Sequence, residues 1–268
     1  MIIQAIRSAI YYFMFFLITA ILSALAALSL LIPPISQKAT LSIAVFWCKI
    51  NQILLRFIVG IKTEITGQEN LPEGACIVAS KHQSDWDTIA LYPELSHPCF
   101  TAKKELFNIP LLGTTLRLMD TISIDRKKRG GALKGLLAQA QQRVDNGRRI
   151  FIFPEGTRKA PLAEANFKFG TAKMYEQLNV PVVPVALNSG LFWGRNSKIL
   201  WPGTAKAHIL KPIPPGLSAQ EMHEQMSTAI EKESTILILQ SVEKGLTRPI
   251  TPQLQKRIAI AQAAQNTK

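Results

Sequence analysis

The chain has 268 residues, with 31 lysines and arginines against 18 acidic residues, and a formal charge of +13. That charge suits an anionic partner such as phospholipid headgroups, nucleic acid or an acidic protein, although a merely soluble basic surface is the plain alternative. Aromatic residues make up only 7% of the chain, and neither a zinc-type Cys/His spacing nor an RNA-binding signature occurs, so the composition argues against nucleic-acid binding.

An uncharged, mostly apolar segment covers residues 9 to 32. As an α-helix rising about 1.5 Å per residue it would be about 36 Å long, enough to cross a hydrocarbon core of about 30 Å. Pro33 and Pro34 are predicted to end it. A cleaved signal peptide is the alternative, but its apolar region usually has about 7 to 15 residues, and only Arg7 precedes this one. The pattern therefore favours a retained membrane segment.

Residues 39 to 61 have a different pattern, because apolar side chains recur there at spacings of three and four. Lys49, Gln52 and Arg56 share the opposite face. The pattern predicts an amphipathic helix that extends to Ile61 and lies in a membrane interface, since the polar face is cationic and a membrane-length segment precedes it. A core helix of a soluble domain is the alternative.

After Gly67, short apolar runs alternate with helical stretches. This alternation predicts an α/β fold with a largely parallel central sheet flanked by helices and preceded by the hydrophobic N-terminal helices. The predicted strands lie at residues 76–80, 99–102, 121–125, 149–153 and 180–187, and the predicted helices near 85–95, 130–145, 170–178 and 218–240. The predicted organisation is membrane-associated helices over 1–62, a catalytic domain over 63–243 and a basic C-terminal tail over 244–268.

The sequence KHQSDWDT, residues 81 to 88, directly follows the first of these predicted strands. Ligands of open α/β sheets bind beyond the carboxyl ends of the strands, so the position favours a site. His82 can take a proton from a hydroxyl if a carboxylate holds its other ring nitrogen. Asp87 is the predicted partner and Asp85 is its rival. An ordinary strand end that contains these residues is the alternative.

Two further polar segments follow predicted strands. FPEGTRK, residues 153 to 159, contains Gly156, which allows close backbone approach, and Arg158, whose guanidinium can bind phosphate oxygens. Asp125 and Arg126 close the strand at 121–125 and precede three more basic residues. A structural turn would explain the first segment without a ligand, and a solvated charge run would explain the second.

These segments together resemble a known family. HQSxxD, the K-x-E-L segment with IPLLG, the IDR strand end, FPEGTR and VPVVPV occur in the order of the four motif blocks of 1-acylglycerol-3-phosphate acyltransferases and the wider glycerolipid acyltransferase superfamily. The resemblance covers roughly residues 60 to 215. It implies the glycerolipid acyltransferase fold and transfer of an acyl chain from a thioester to the sn-2 hydroxyl of a lysophosphatidate, which gives phosphatidic acid.

The resemblance also implies roles for individual residues. His82 matches the general base, Asp87 its orienting acid, and Lys103 a residue proposed to stabilise the oxyanion. The positions that match the blocks for the glycerol phosphate acceptor, together with a further basic position, are Arg126, Glu155, Gly156, Thr157, Arg158 and Lys168. The chain departs from the family pattern at Lys81, where asparagine is usual, and at Asp120 and Ser123, where glycine and phenylalanine are usual.

The same resemblance implies that acyl-CoA or an acyl carrier protein acts as co-substrate and that no cofactor is needed. The expected partners are membrane phospholipid, lysophosphatidate and an acyl carrier protein. No metal is expected, because the His-x4-Asp spacing is not a metal-ligand pattern. Cationic clusters after residue 100 favour a catalytic domain on the cytoplasmic side of a bacterial inner membrane.

Other functions stay open at the level of the sequence. A sister acyltransferase would use lyso-ornithine lipid or glycerol-3-phosphate as acceptor. In a catalytically silent, membrane-bound lipid-binding protein, His82 would be only a strand-end residue. A soluble or secreted hydrolase is a third alternative, but the chain has no G-x-S-x-G nucleophile motif.

Overall fold

Two long helices begin the chain in the computed structural model, which describes residues 1–96, 98–124 and 131–266. Helix α1 (Ile2–Leu28) continues through a short 3₁₀ turn (Ser29–Leu31) to α2 (Pro33–Leu54), and α2 ends in a π-helical turn (Leu55–Val59). Proline is favourable at the first position of a helix, because its missing N–H would have no partner there. The predicted pair of hydrophobic helices is confirmed, although α1 begins at Ile2 rather than at Ala9.

The second helix ends before the residue at which its apolar pattern stops. Gly60 has a φ of 91°, and its N–H donates to the carbonyl of Leu55 at 2.8 Å. A Cβ at Gly60 would lie 2.9 Å from Cβ of Pro202, so the left-handed turn and the close approach both require glycine. Strand β1 (Ile61–Thr66) follows at once. The prediction that Ile61 belongs to the helix was therefore wrong.

A seven-stranded sheet forms the centre of the protein, in the order β1-β7-β6-β2-β5-β3-β4. The remaining strands are β2 (Ile77–Ser80), β3 (Pro98–Lys103), β4 (Ile122–Ile124), β5 (Arg149–Ile152), β6 (Val182–Leu187) and β7 (Gly203–Ile209). Only the pairing of β6 with β7 is antiparallel among the described strands. The predicted fold, a largely parallel sheet flanked by helices, is confirmed.

Strands β1 and β7 were missing from the sequence prediction. Along both strands, side chains alternate between buried and more exposed positions. Their sequences, IKTEIT and GTAKAHI, therefore lack the continuous apolar run that marks strands β2, β5 and β6. These two strands form one side of the sheet, where burial on both faces is not required.

In the described part of the chain, six further helices lie between and after the strands. They are α3 (Trp86–Leu91), α4 (Leu112–Leu118), α5 (Gly131–Asp145), α6 (Gly170–Leu178), α7 (Ala219–Glu243) and α8 (Pro252–Asn266). Ser218 begins α7 with a capping box, in which its hydroxyl accepts from the N–H of Glu221 and the Glu221 carboxylate accepts from the N–H of Ser218. Helices α3, α5, α6 and α7 lie at the four predicted places.

The N-terminal helices share a core with one face of the sheet. Tyr11, Leu55 and Val59 are fully buried in the same cluster as Phe151 of β5 and Trp193. The second cluster, on the other face, joins the sheet to α5, α6 and α7. The segment predicted as a separate N-terminal unit is thus packed directly onto the predicted catalytic domain.

Polar side chains of α1 strengthen this attachment. Gln4 Nε2 donates to the carbonyls of Val59 and Leu200, at 3.2 and 2.7 Å. The hydroxyl of Tyr12 donates to the carbonyl of Ser197 at 2.5 Å. The first three turns of α1 therefore hold the loop that leads into β7.

The other side of α1 is apolar and exposed. Apart from the adjacent Phe16 and Leu17, its exposed large side chains recur every three or four residues, at Ile6, Ile10, Phe13, Phe16, Leu17, Ile21, Leu25 and Leu28. By length and composition, both N-terminal helices could cross a membrane. An exposed apolar stripe of this length fits association with a membrane, because exposure of so much apolar surface to water is unfavourable.

Candidate active site

The predicted histidine and aspartate lie together at the carboxyl end of β2. His82 is in the loop after this strand, and Asp87 is in the first turn of α3, where it is fully buried. Nδ1 of His82 lies 3.0 Å from Oδ2 of Asp87. The predicted pairing is present in the structure. With Nδ1 donating to the carboxylate, Nε2 of the ring is left as a proton acceptor.

Three further donors hold the Asp87 carboxylate. Its Oδ2 accepts from the backbone N–H groups of Gln83 at 2.7 Å and Ser84 at 2.9 Å. Its Oδ1 accepts from the hydroxyl of Ser189, which follows β6. Buried carboxylates need such donors, because water is not available to them. Sequence reasoning missed Ser189, which lies 102 residues from Asp87 along the chain.

The imidazole ring of His82 is also fixed from its flat side. It stacks on Phe153, with 3.7 Å between the ring centroids and 15° between the ring planes. Phe151 meets Phe153 edge-on. Phe151 lies in strand β5 and Phe153 directly follows its last residue, Ile152, so the end of this strand sets the orientation of the histidine ring.

Asp85, the rival partner, points elsewhere. Its Oδ2 pairs with Nη1 of Arg158 at 2.5 Å, and about half of its side chain is exposed. Desolvation raises the pKa of the Asp85 carboxyl, and the Arg158 guanidinium opposes that shift. Asp85 thus connects the histidine loop to the FPEGTRK segment, whereas Asp87 orients His82.

Glu155 lies behind the histidine and is 1% exposed. Its Oε2 accepts from the backbone N–H of His82 at 3.0 Å, and its Oε1 is 3.1 Å from the ammonium of Lys81. Burial raises the pKa of the Glu155 carboxyl, and the Lys81 charge opposes the rise. The N–H of Lys159 also donates to the carbonyl of His82, at 2.8 Å. The motif glutamate, predicted to bind the acceptor, is therefore bonded to the backbone of His82.

A cavity of about 1000 Å³ opens beside the histidine. Of the predicted site residues, those that line it are His82, Lys103, Gly156, Thr157, Arg158 and Lys168. Asp87 and Glu155 are not among the described lining residues, and Arg126 lies outside the residues that the structure describes. Arg195, a cation that sequence reasoning missed, also lines the cavity.

The cavity continues to the N-terminal helices. Thr19 and Leu22 of α1 and Ile43 and Trp47 of α2 belong to its wall. One part of the wall therefore carries cations and the other is mainly apolar. Such a division suits a ligand with an anionic headgroup and a hydrocarbon chain.

Comparison with known proteins identifies the family. A family model described as Acyltransferase matches residues 62–188. The 1-acyl-sn-glycerol-3-phosphate acyltransferase of Pseudomonas aeruginosa is 34% identical over 77% of this chain and 80% of its own length. The chain belongs to the 1-acyl-sn-glycerol-3-phosphate acyltransferase family.

More distant members of the acyltransferase family agree. The human alpha enzyme is 30% identical, over 60% of this chain and 58% of its own length. The crystal structure of the acyltransferase PlsC from Thermotoga maritima superposes with a TM-score of 0.73, at 22% identity, and the match covers 87% of this chain and 97% of that one. The fold is therefore that of this structure. Membership of the family shown by the Pseudomonas aeruginosa relative makes the chain an acyltransferase rather than a hydrolase or a silent lipid-binding protein.

Proposed function

We propose that this acyltransferase moves an acyl chain from a thioester, on coenzyme A or an acyl carrier protein, to the sn-2 hydroxyl of 1-acylglycerol-3-phosphate, giving phosphatidic acid. The observation that carries the proposal is the His82–Asp87 pair beside a cavity with a cationic part and an apolar part. The names of its relatives support lysophosphatidate as acceptor.

In the proposed mechanism, Nε2 of His82 takes the proton of the acceptor hydroxyl as its oxygen attacks the thioester carbonyl. The tetrahedral oxyanion then collapses, the carbon–sulfur bond breaks, and the imidazolium returns its proton to the departing thiolate. Asp87 stabilises the imidazolium and keeps the ring in place. General-base help of this kind is worth about 10²- to 10⁴-fold in rate, so positioning and the reactive thioester must supply the rest.

Lys103 is the proposed partner of the oxyanion. It is the last residue of β3, it is exposed, and it lines the cavity. A donor aimed at the oxyanion would contribute about 3 to 4 kcal/mol to transition-state binding. A backbone N–H is the alternative donor.

Cations around the FPEGTRK segment are proposed to bind the acceptor phosphate. Arg158 lines the cavity, and the Lys168 side chain lies over Gly156, where an added Cβ would be 3.4 Å from Nζ. The absence of a side chain at Gly156 thus gives the ammonium room beside the backbone. Arg126 stays a predicted contact to the same phosphate.

The setting of the reaction is proposed as well. The exposed apolar stripe of α1 and the formal charge of +13 support the proposal that the enzyme acts at an anionic membrane surface. We place the enzyme at the bacterial inner membrane, with its catalytic domain towards the cytoplasm. No cofactor or metal enters the proposed steps, and we expect turnover to persist after chelation.

Acyl transfer by purified protein in lipid vesicles tests the proposal. Lysophosphatidate, lyso-ornithine lipid and glycerol-3-phosphate are each supplied with acyl-CoA and with acyl carrier protein thioester. We expect the highest kcat/KM with lysophosphatidate, sn-2 acylation of the product, and a loss of about 10²- to 10⁴-fold in His82→Ala. Preference for another acceptor, or wild-type turnover by His82→Ala, would overturn the proposal.

A further inference from the structure

Lys81 stands out because it is a buried lysine beside the catalytic base. Its side chain is 3% exposed, and its ammonium contacts two carboxylates, Glu155 in the FPEGTRK segment and Glu231 on α7. The ring centroid of Phe167 lies 5.3 Å from the same ammonium. The family pattern usually has asparagine at this position, which cannot form these two ion pairs.

A buried ammonium is stable only when its charge is compensated, and the same holds for the carboxylate that it faces. Around Glu155, the charged or polar neighbours are Lys81, the N–H of His82 and, from α7, Glu231. Without the lysine, burial and the nearby Glu231 would both favour a protonated Glu155. The protonation state of the Glu155 carboxyl therefore depends on the charge of Lys81.

Glu155 connects Lys81 to the proposed base, His82. Its Oε2 holds the backbone N–H of His82, while Asp87 holds the ring of the same residue. Lys81 is not among the described residues that line the cavity, so direct contact with substrate is not its role. Lys81 directly precedes the proposed base, His82, in the sequence.

We propose that Lys81 is a positioning residue for acyl transfer, which keeps Glu155 ionised and thereby fixes the backbone of His82, with Glu231 anchoring the lysine to α7. The inference rests on the proposed role of His82 as general base. It adds a charged link between α7 and the active-site loop.

Lys81→Met tests this link, since methionine removes the charge and approximates the length of the side chain. We expect kcat to fall about 10- to 100-fold, with the KM of acceptor and donor within about two-fold of wild type, because the backbone of His82 loses its charged acceptor while the groups that line the cavity are unchanged. A rise in KM with unchanged kcat, or unchanged kcat and KM, would overturn the inference.

The pH profile of the variant gives a second readout. Without Lys81, the Glu155 pKa rises further, so Glu155 loses its proton only as the pH increases. The kcat of Lys81→Met should therefore recover with rising pH along a limb that lies at higher pH than the corresponding limb of wild type. A variant whose profile is parallel to that of wild type would contradict the role given to Glu155.

The double variant Lys81→Met/Glu155→Gln separates positioning from folding. Its glutamine can accept from the N–H of His82 without a charge, so no unpaired buried carboxylate remains. Because glutamine is neutral at every pH and accepts more weakly than a carboxylate, we expect a kcat about 10- to 100-fold below that of wild type with no recovery as the pH rises, and a wild-type kcat would overturn the inference. A loss equal to the product of the two single losses would overturn the inference, and this variant carries the test if Lys81→Met does not fold.

A matched control is Lys173→Met, which makes the same substitution at an exposed ion pair with Glu176. Its kcat and KM should equal those of wild type. His82→Ala is assayed beside these variants: its wild-type turnover would defeat the proposed function, whereas a normal kcat in Lys81→Met alone would defeat only the link.

Discussion

The carboxyl end of the sheet and the N-terminal helices differ in which side chains they bury: the first buries charged groups, and the second exposes apolar ones. At the end of the sheet, Asp87, Glu155 and Lys81 are buried charges, and each has partners within hydrogen-bonding distance. On α1, large apolar groups such as Phe13 and Phe16 are about two-thirds exposed. The charges of the first region are compensated within the protein, whereas the apolar groups of the second are compatible with association with a membrane. Catalysis and membrane binding should therefore fail separately when each region is altered.

Asp87→Asn should have the largest effect, a loss of about 10²- to 10⁴-fold in kcat, comparable to the loss of the base itself. An amide cannot accept from His82, Gln83 and Ser84 through one oxygen while also facing Ser189 with an acceptor. Sedimentation with anionic vesicles should be unchanged. A normal kcat, or lost vesicle binding, would break the separation of the two regions.

Phe13→Glu/Phe16→Glu should produce the reverse result. Burying each phenylalanine in an apolar medium is worth about 1.5 to 3 kcal/mol, so we expect vesicle partitioning to fall by at least about 10²-fold. Turnover of a water-soluble, short-chain lysophosphatidate should stay close to that of wild type.

The control for this prediction adds the same charge elsewhere. Gln253→Glu/Gln255→Glu alters two exposed positions of α8. Its vesicle binding should match that of wild type. Equal losses in both double variants would mean that net charge, rather than the apolar stripe, determines partitioning.

Ser189→Ala should have the smallest effect, about a 10-fold loss in kcat, because it removes one of several donors to Asp87. Ser189→Thr, which keeps the hydroxyl, should restore most of the rate. Ser227→Ala is the matched control, since that hydroxyl bonds to the carbonyl of His223 in its own helix. No change in Ser189→Ala would mean that the two backbone donors suffice.

Much of the fold could be predicted from the sequence, because buried parallel strands leave continuous apolar runs. Strand β7 could not, since its side chains alternate in exposure. The His82–Asp87 pair was predictable from its short spacing and its position after a strand. Ser189 was not, because only folding brings it to Asp87 from 102 residues away.

The motif around Glu155 shows a different limit of sequence reasoning. Similarity to the family predicted that this segment binds the acceptor, and in the structure Gly156, Thr157 and Arg158 line the cavity beside His82. It did not indicate that the Glu155 carboxylate faces the backbone of His82. The direction in which a side chain points depends on partners such as Lys81, which the family pattern does not include.

The hydrogen bonds from Gln4 and Tyr12 to the loop before β7 have a mechanical consequence. A helix bonded in this way cannot tilt independently of the sheet, so the apolar stripe and His82 move as one body. If the stripe lies in a bilayer as proposed, the distance of Nε2 of His82 from that bilayer is then set by the protein itself. A lysolipid would rise to that height along the cavity wall formed by α1 and α2, with its tail still close to the membrane it came from.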